Sequence, residues 1–438
     1  MRRPHLLYPT FFILGLASCG SDGSAGDTTH DAGALEAGSA ADADGDIDET
    51  GGGDVHPADA GVDAADAGPL YEATTDSLRS HPVPDWYHDA KLGIMVHWGL
   101  YSVPAWAPLT GEFDEVVMQP DGWKTWFREN PYAEWYANTI RIDGSPSREH
   151  HLTTWGATFA YDAFAPMFEQ SSAQWDAAAW AATFADAGAR YVVFVSKHHD
   201  GYCLWPTSVD NPNGGPGAAV RDYAGELADA TRAEGMHFAL YYSGGIDWTF
   251  EDAVIEDLAD LVTATPQSQA YIEYANAHWR ELIERYRPSY LWNDIGYPSD
   301  AGTQELIAWY YNTVPEGLIN DRFNHWELKH FDVETEEYTE SPDIRDQKWE
   351  TVRGMGFSFG YNQNDTEATT IGSDALIDLL VDVVSKNGNM LLNVGPDAAG
   401  EIPAVQLSRL EALGQWLGVH GEAIYGTRPW TRAEGQAT

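Results

Sequence analysis

Carboxylates, imidazoles and a guanidinium recur in this chain at one kind of place, the end of a short apolar run. In 289–298, SYLWNDIGYP, Tyr290-Leu291-Trp292 reads as a buried strand with Asn293-Asp294 at its tip, stopped by Gly296 and Pro298. The same arrangement gives His97-Trp98-Gly99, Lys197-His198-His199-Asp200-Gly201, Tyr241-Tyr242-Ser243 and Asn320-Asp321-Arg322. A further segment, Tyr132-Ala133-Glu134-Trp135, sets a carboxylate beside an indole, offering a hydrogen bond and a stacking face together. Taken alone, Asp294 could equally cap the next helix. Five consecutive strand ends of this type exceed what structure by itself requires.

Two chemistries could use this set. His198, His199 and Asp200 with His97 could bind a metal, because imidazole and carboxylate are the usual ligands of hydrolytic zinc. Against it, neighbouring strand residues point to opposite sides, and neither HxH nor HExxH occurs. The alternative is glycoside hydrolysis by two carboxylates, one attacking the anomeric carbon and one protonating the leaving oxygen, with neutral histidines bonding hydroxyls. The residues themselves reach as far as a barrel hydrolase acting on sugars.

The elements that would position these groups alternate strand and helix. Buried strands are expected at 91–98, 191–196, 237–243, 290–294, 317–321 and 390–394, with weaker candidates at 330–337 and 356–361. Helical patterns cover 172–189, 218–235, 268–287, 304–313 and 374–386. Repeated βα units predict a parallel sheet with right-handed crossovers. With about 350 ordered residues the count fits an α/β fold of the (β/α)8 TIM-barrel type, whose active sites lie at the C-terminal strand ends. GxGxxG is absent after the first strand, so no nucleotide is expected.

Composition narrows the partner. A formal charge of −44, from 24 basic and 68 acidic side chains, opposes nucleic acid and anionic membranes and suits a neutral substrate. The 18 Trp, 22 Tyr and 15 Phe exceed the needs of a plain core and suit sugar-facing surfaces. Residues 1–19 carry Arg2, Arg3, an apolar stretch and Leu16-Ala17-Ser18-Cys19, which resembles a bacterial lipobox with Cys19 as the lipidated residue. Residues 20–70, rich in Asp, Ala and Gly, read as a disordered tether, and 71–438 as the catalytic domain. The acidic run 42–49 lacks the glycine and twelfth ligand of a calcium loop and reads as solvated charge. The chain is thus expected to be exported and held in the cell envelope by a lipid anchor, or else periplasmic or secreted. Cys203 is expected to be an unpaired buried thiol.

At these residues the sequence resembles the α-L-fucosidases of glycoside hydrolase family 29, over roughly 86–430. The motifs are WYHDAKLGIMVHWGLYSVPAW, NPYAEWY, FVSKHHDGYCLWPT, LYYSGGIDW, LWNDIGYP, NDRF, KWETVRGMGFSFGYN and MLLNVGPDAAGEIP. The resemblance implies a catalytic barrel that removes terminal α-L-fucose from a fucosylated glycan with retention, without metal or organic cofactor. It also implies a β-sandwich after the barrel, which this sequence, ending at Thr438, does not show. By the WND motif the nucleophile corresponds to Asp294. The residues holding the sugar correspond to His97, Glu134, Trp135, His198, His199, Tyr241 and Arg322, with Phe359 against the fucose methyl group.

In the branch with a WND motif, the acid/base corresponds to the glutamate before a tyrosine after NDR, here Glu337. Glu336 and Glu340 are one slip away, Glu350 lies in KWET at a helix-like opening, and Glu134 is a third rival. The mechanism requires carboxyl groups about 5 to 5.5 Å apart and a Glu337 kept protonated by partial burial and the charge of Asp294. A related retaining glycosidase on another sugar, or a sugar-binding lipoprotein without catalysis, would share many of these residues.

Overall fold

A computed structural model describes residues 70–323 and 325–433. The leader expected over 1–19 with Cys19, the acidic run 42–49 and all but the last residue of the expected tether lie outside the described residues.

Eight strands form one parallel sheet: β1 (Leu92–Val96), β2 (Tyr191–Lys197), β3 (His237–Ser243), β4 (Tyr290–Asp294), β5 (Leu318–Ile319), β6 (Glu334–Glu337), β7 (Trp349–Arg353) and β8 (Gly388–Val394). Their order is β5-β4-β3-β2-β1-β8-β7-β6, so the ends of the sheet are sequence neighbours. A single parallel bridge, Asn320 to Val333, joins those ends. The curled sheet is consistent with the expected (β/α)8 barrel. The crossover and flanking helices are α1 (Ala177–Asp186), α2 (Tyr223–Ala233), α3 (Gln269–Tyr286), α4 (Thr303–Thr313), α5 (Ser373–Ser385) and α6 (Ala404–His420).

Local chemistry explains where these helices begin. Asp176 accepts from Ala178 and Ala179 N–H before α1, Asp222 from Gly225 before α2, and Ser268 from Tyr271 before α3. Asp294 caps no helix: α4 starts after Gly302, so the capping alternative for that carboxylate is set aside.

Two corrections concern the weaker segments. The run 356–361 is irregular, and the seventh strand is Trp349–Arg353, which takes in Trp349-Glu350-Thr351 of the KWET segment expected to open a helix. Its aromatic and β-branched residues favour a pleated surface, and it pairs with both β6 and β8. Helix α6 is not among the expected ones, although Leu410, Leu413 and Leu417 recur at helical spacing and are buried.

Period-2 alternation divides each strand between two cores. Val192, Phe194, Phe238, Leu240 and Leu291 join the layer beneath the helices. Met95, Tyr191, Val193, Ala239, Tyr241, Tyr290, Trp292, Val352 and Leu391 pack together inside the barrel. Gly93 of β1 leaves room for an inward neighbour, since a Cβ there would lie 2.3 Å from the Tyr191 ring. Continuing the inward register along β1, β3, β4, β6 and β8 puts His97, Tyr241, Asp294, Glu337 and Asn393 on the interior side at the strands' C-terminal ends.

Candidate active site

Asp294 ends β4 two residues beyond Trp292 and is 8% exposed. Its Oδ2 accepts from the Tyr241 hydroxyl at 2.6 Å, and its Oδ1 accepts from Arg322 Nη1 at 2.8 Å and from the Ile295 N–H at 3.0 Å. Burial alone would raise its pKa, but the Arg322 charge, His199 and these hydrogen bonds outweigh burial and hold the carboxyl below its ordinary value. Asp294 is therefore a largely buried anion.

Arg322 comes from the turn after β5 and stands at the joint of the sheet. Its Nη1 also donates to Glu337 Oε1 at 2.7 Å, and its Nε donates to Thr335 Oγ1 at 3.0 Å. One nitrogen thus touches a carboxylate of β4 and a carboxylate of β6. Thr335 and Glu337 share the inward face of β6, whereas Glu334 and Glu336 pair with Arg345 on the other side. Glu340 is exposed beyond the strand.

The imidazoles line the opposite wall. Strand β2 carries a register shift between Val195 and Lys197, so Lys197 turns to Asp247, 2.8 Å away, and His198 and His199 lie beyond the strand with ring centroids 4.0 Å apart. This kink answers the objection that adjacent histidines must diverge. The His198 ring stacks parallel to Tyr241 at 5.7 Å and meets His97 edge-on at 5.5 Å.

Neighbours settle the tautomers of two of these rings. The Ser243 hydroxyl donates to the Ile246 carbonyl, so it accepts from His199 Nδ1–H at 2.6 Å. The Asn393 amide nitrogen donates to the Phe359 carbonyl, so its oxygen accepts from His97 Nδ1–H at 2.6 Å. Both rings keep a free Nε2 lone pair. Burial lowers the pKa of His97 to about 4 and of His199 to about 3, and carries His198 well down as well, so all three are neutral hydrogen-bonding groups.

Glu134 and Trp135 complete the wall. Glu134 Oε2 accepts from the Gly360 N–H at 2.7 Å and from Ser358 Oγ at 3.2 Å. Burial pushes the Glu134 carboxyl up to about 7 against these bonds. Trp135 meets His199 edge-on at 5.1 Å, and Phe359 packs against His97, Tyr132 and Tyr338 with centroids 5.2 to 5.4 Å away.

Glu350 stands apart from this group. It is fully buried inside the barrel, and its oxygens accept from Tyr87, Tyr191, Tyr290 and Trp292. Asp200 also turns away, bonded to the Tyr161 hydroxyl and the Tyr202 N–H, so the proposed metal quartet does not converge. Among the described residues no three His, Cys, Asp or Glu side chains gather as a metal-ligand set. Cys203 is buried and unpaired, as expected.

Four contributors carry no role in the sequence reading: Asn393, Ser243, Ser358 and Trp248, the last meeting His199 edge-on at 5.5 Å. Asn393 is the penultimate residue of an apolar strand, and a search for polar groups near strand ends extended to β8 would have found it. Ser358 sits in an irregular loop and has no comparable signal.

Known proteins share this arrangement of chain and fold. A family profile described as Alpha-L-fucosidase matches residues 60–422. The chain is 33% identical over 380 residues to an alpha-L-fucosidase of Dictyostelium discoideum, covering 82% of this chain and 75% of that one. It is 30% identical over 376 residues to the tissue alpha-L-fucosidase of Homo sapiens, covering 82% and 73% respectively. Among solved structures, Thermotoga maritima alpha-fucosidase in complex with fucose is similar with a TM-score of 0.73 and 44% identity, covering 83% of this chain and 80% of that one.

Proposed function

The chain belongs to the alpha-L-fucosidase family, and from that premise we propose that it is an exo-acting retaining α-L-fucosidase, with Asp294 as nucleophile and Glu337 as acid/base. One observation carries the assignment: Arg322 Nη1 lies 2.8 Å from Asp294 Oδ1 and 2.7 Å from Glu337 Oε1. Two oxygens that share a nitrogen in this way lie no farther apart than those two bonds laid end to end, which fits the separation of about 5 to 5.5 Å used by retaining glycosidases. Glu350, the rival, has both oxygens engaged by core donors.

In this reading the Asp294 carboxylate attacks the anomeric carbon of a terminal fucose while the bond to the leaving glycan oxygen breaks. Glu337 gives its proton to that oxygen. A water then loses a proton to Glu337 and attacks the same carbon, the ester to Asp294 breaks, and fucose leaves with its original anomeric configuration. The free Nε2 atoms of His97 and His199 accept from sugar hydroxyls, and Tyr241 and Arg322 keep Asp294 oriented and ionised. His198, Glu134 and Trp135 supply further contacts, and Phe359 the apolar surface for the methyl group.

The deciding experiment follows an aryl α-L-fucoside by proton NMR. The α-anomer of fucose should form first, and the L-galactoside analogue, which adds a hydroxyl where fucose has its methyl, should react more slowly. A β-anomer formed first would exclude the double displacement. The leader supports a second element of the proposal, export and anchoring through a lipid on Cys19. Replacing Cys19 by Ala should move the protein from the membrane fraction to the soluble one.

A further inference from the structure

Glu350 is enclosed on β7 with none of its surface exposed. Four donors converge on it from three other elements. Tyr87, of the short helix Asp85–Ala90, and Tyr191 of β2 reach Oε2 at 2.8 and 2.5 Å; Trp292 Nε1 and the Tyr290 hydroxyl of β4 reach Oε1 at 3.1 and 3.5 Å. Hydroxyls can rotate toward other acceptors, but the indole N–H is rigid with its ring, so its bond to Glu350 fixes the direction in which that edge of the ring points.

That ring is where the reaction centre rests. The Tyr241 ring stacks on Trp292 with centroids 5.3 Å apart and 19° between planes, and the Arg322 guanidinium carbon lies 4.6 Å from the indole centroid. Tyr241 holds Asp294 Oδ2, and Arg322 holds Asp294 Oδ1 and Glu337. Both side-chain donors to Asp294 therefore lean on one indole, whose only hydrogen bond goes to a carboxylate at the centre of the barrel.

We propose that Glu350 is a positioning residue: by fixing the Trp292 indole through Nε1 it seats Tyr241 and Arg322, and through them sets the orientation of Asp294 and its spacing from Glu337. The proposal rests on Asp294 being the nucleophile. It gives the buried carboxylate a task distinct from proton transfer, with both of its oxygens engaged by core donors.

The test is a cycle of Trp292→Phe, Glu350→Ala, the double variant and Glu350→Gln, assayed on an aryl α-L-fucoside with folding checked by circular dichroism. Trp292→Phe keeps a ring face but loses the N–H, and it and Glu350→Ala should each lower kcat about 10- to 100-fold with KM changed less than about twofold. The double variant should be no slower than the slower single, because the two residues act in series. Glu350→Gln, which retains an acceptor for the indole, should recover most of kcat. A role confined to stability would lower the melting temperature and leave kcat per folded molecule unchanged. Losses that multiply in the double variant would overturn the proposal. Should Glu350→Ala not fold, a Trp292→Phe enzyme with kcat within about twofold of wild type overturns it alone. Failure of the underlying reading shows separately, as turnover that survives Asp294→Gly.

Discussion

Asp294 and Glu337 stand on two unlike parts of the same sheet. Strand β4 pairs with β3 from Leu240–Leu291 through Ser243–Asp294 and with β5 on its other side. Strand β6 is laddered to β7 alone, and its other neighbour is reached through the Asn320–Val333 bridge and the bonds of Thr335 to Asp321. The Asp294 side chain is 11% exposed and held from three directions; that of Glu337 is 35% exposed and bonded to Arg322. A nucleophile must not wander from its attack line, whereas a group that trades protons with an entering glycan and then with water must stay accessible. In the proposed mechanism the well-laddered region carries the first task and the joint of the barrel the second.

Removing the pinned carboxylate should have the largest effect. Asp294→Gly should lower kcat by roughly 10^4-fold or more, the scale seen when a reacting group is deleted from a catalytic unit. Azide should restore part of the rate by occupying the vacated space, giving a fucosyl azide of inverted configuration detectable by NMR. Turnover that persists without azide would break the comparison at its firmer end.

At the joint the loss should depend on the substrate. Glu337→Ala should slow a fucosylated glycan, whose leaving alcohol is poor, by about 10^2- to 10^4-fold, and an activated aryl fucoside far less in the bond-breaking step. An equal loss on both substrates would mean that Glu337 serves to hold Arg322.

A smaller change tests the joint itself. Thr335→Val removes a hydroxyl that accepts from Arg322 Nε and donates to Asp321 Oδ1 while keeping its volume. Denaturant titration should show about 1 to 2 kcal/mol of lost stability, and kcat should fall several-fold on the glycan with a lesser change on the aryl fucoside. Identical slowing of the two would remove the distinction between the regions.

A last test, read in stability and not in turnover, concerns Glu134, a carboxyl more deeply buried than Asp294 or Glu337. Its folded value near 7 stands above its ordinary 4.5 because of burial, so the folded chain holds that proton more tightly than the unfolded chain does. Its contribution to stability is complete below pH 4.5 and is lost as pH rises through 7. The melting temperature of wild type should therefore fall relative to Glu134→Gln across that window. Parallel pH curves for the two proteins would show that Glu134 is ionised when folded.

The division between β4 and β6 also explains which parts were legible in the sequence. An apolar run ending in Asn293-Asp294 announces its own strand, and the extents of β3 and β4 agree with the expected 237–243 and 290–294. Of the two weak strand candidates, 330–337 does contain β6 whereas 356–361 is irregular, and Trp349–Arg353, with a glutamate among its first residues, resembles a helix start until its partners on both sides are known. Glu350 is inside because β6 and β8 flank it and four donors meet it, none of which a local pattern can report.

The chain's alternation of short apolar runs with helical patterns determined by itself that a parallel α/β fold would form and that polar groups would gather at the strands' C-terminal ends. Period-2 geometry fixes which side chains share a face, and this is a property of neighbours along the chain. Tertiary structure alone decided that His198 and His199 face one way, since that follows from a register shift against β3. It decided, too, that Arg322 would bridge Asp294 and Glu337, and that Glu350 would lie beneath Trp292 rather than in the cleft. Distances between groups on different strands depend on how the sheet closes, and closure is a property of all eight strands together.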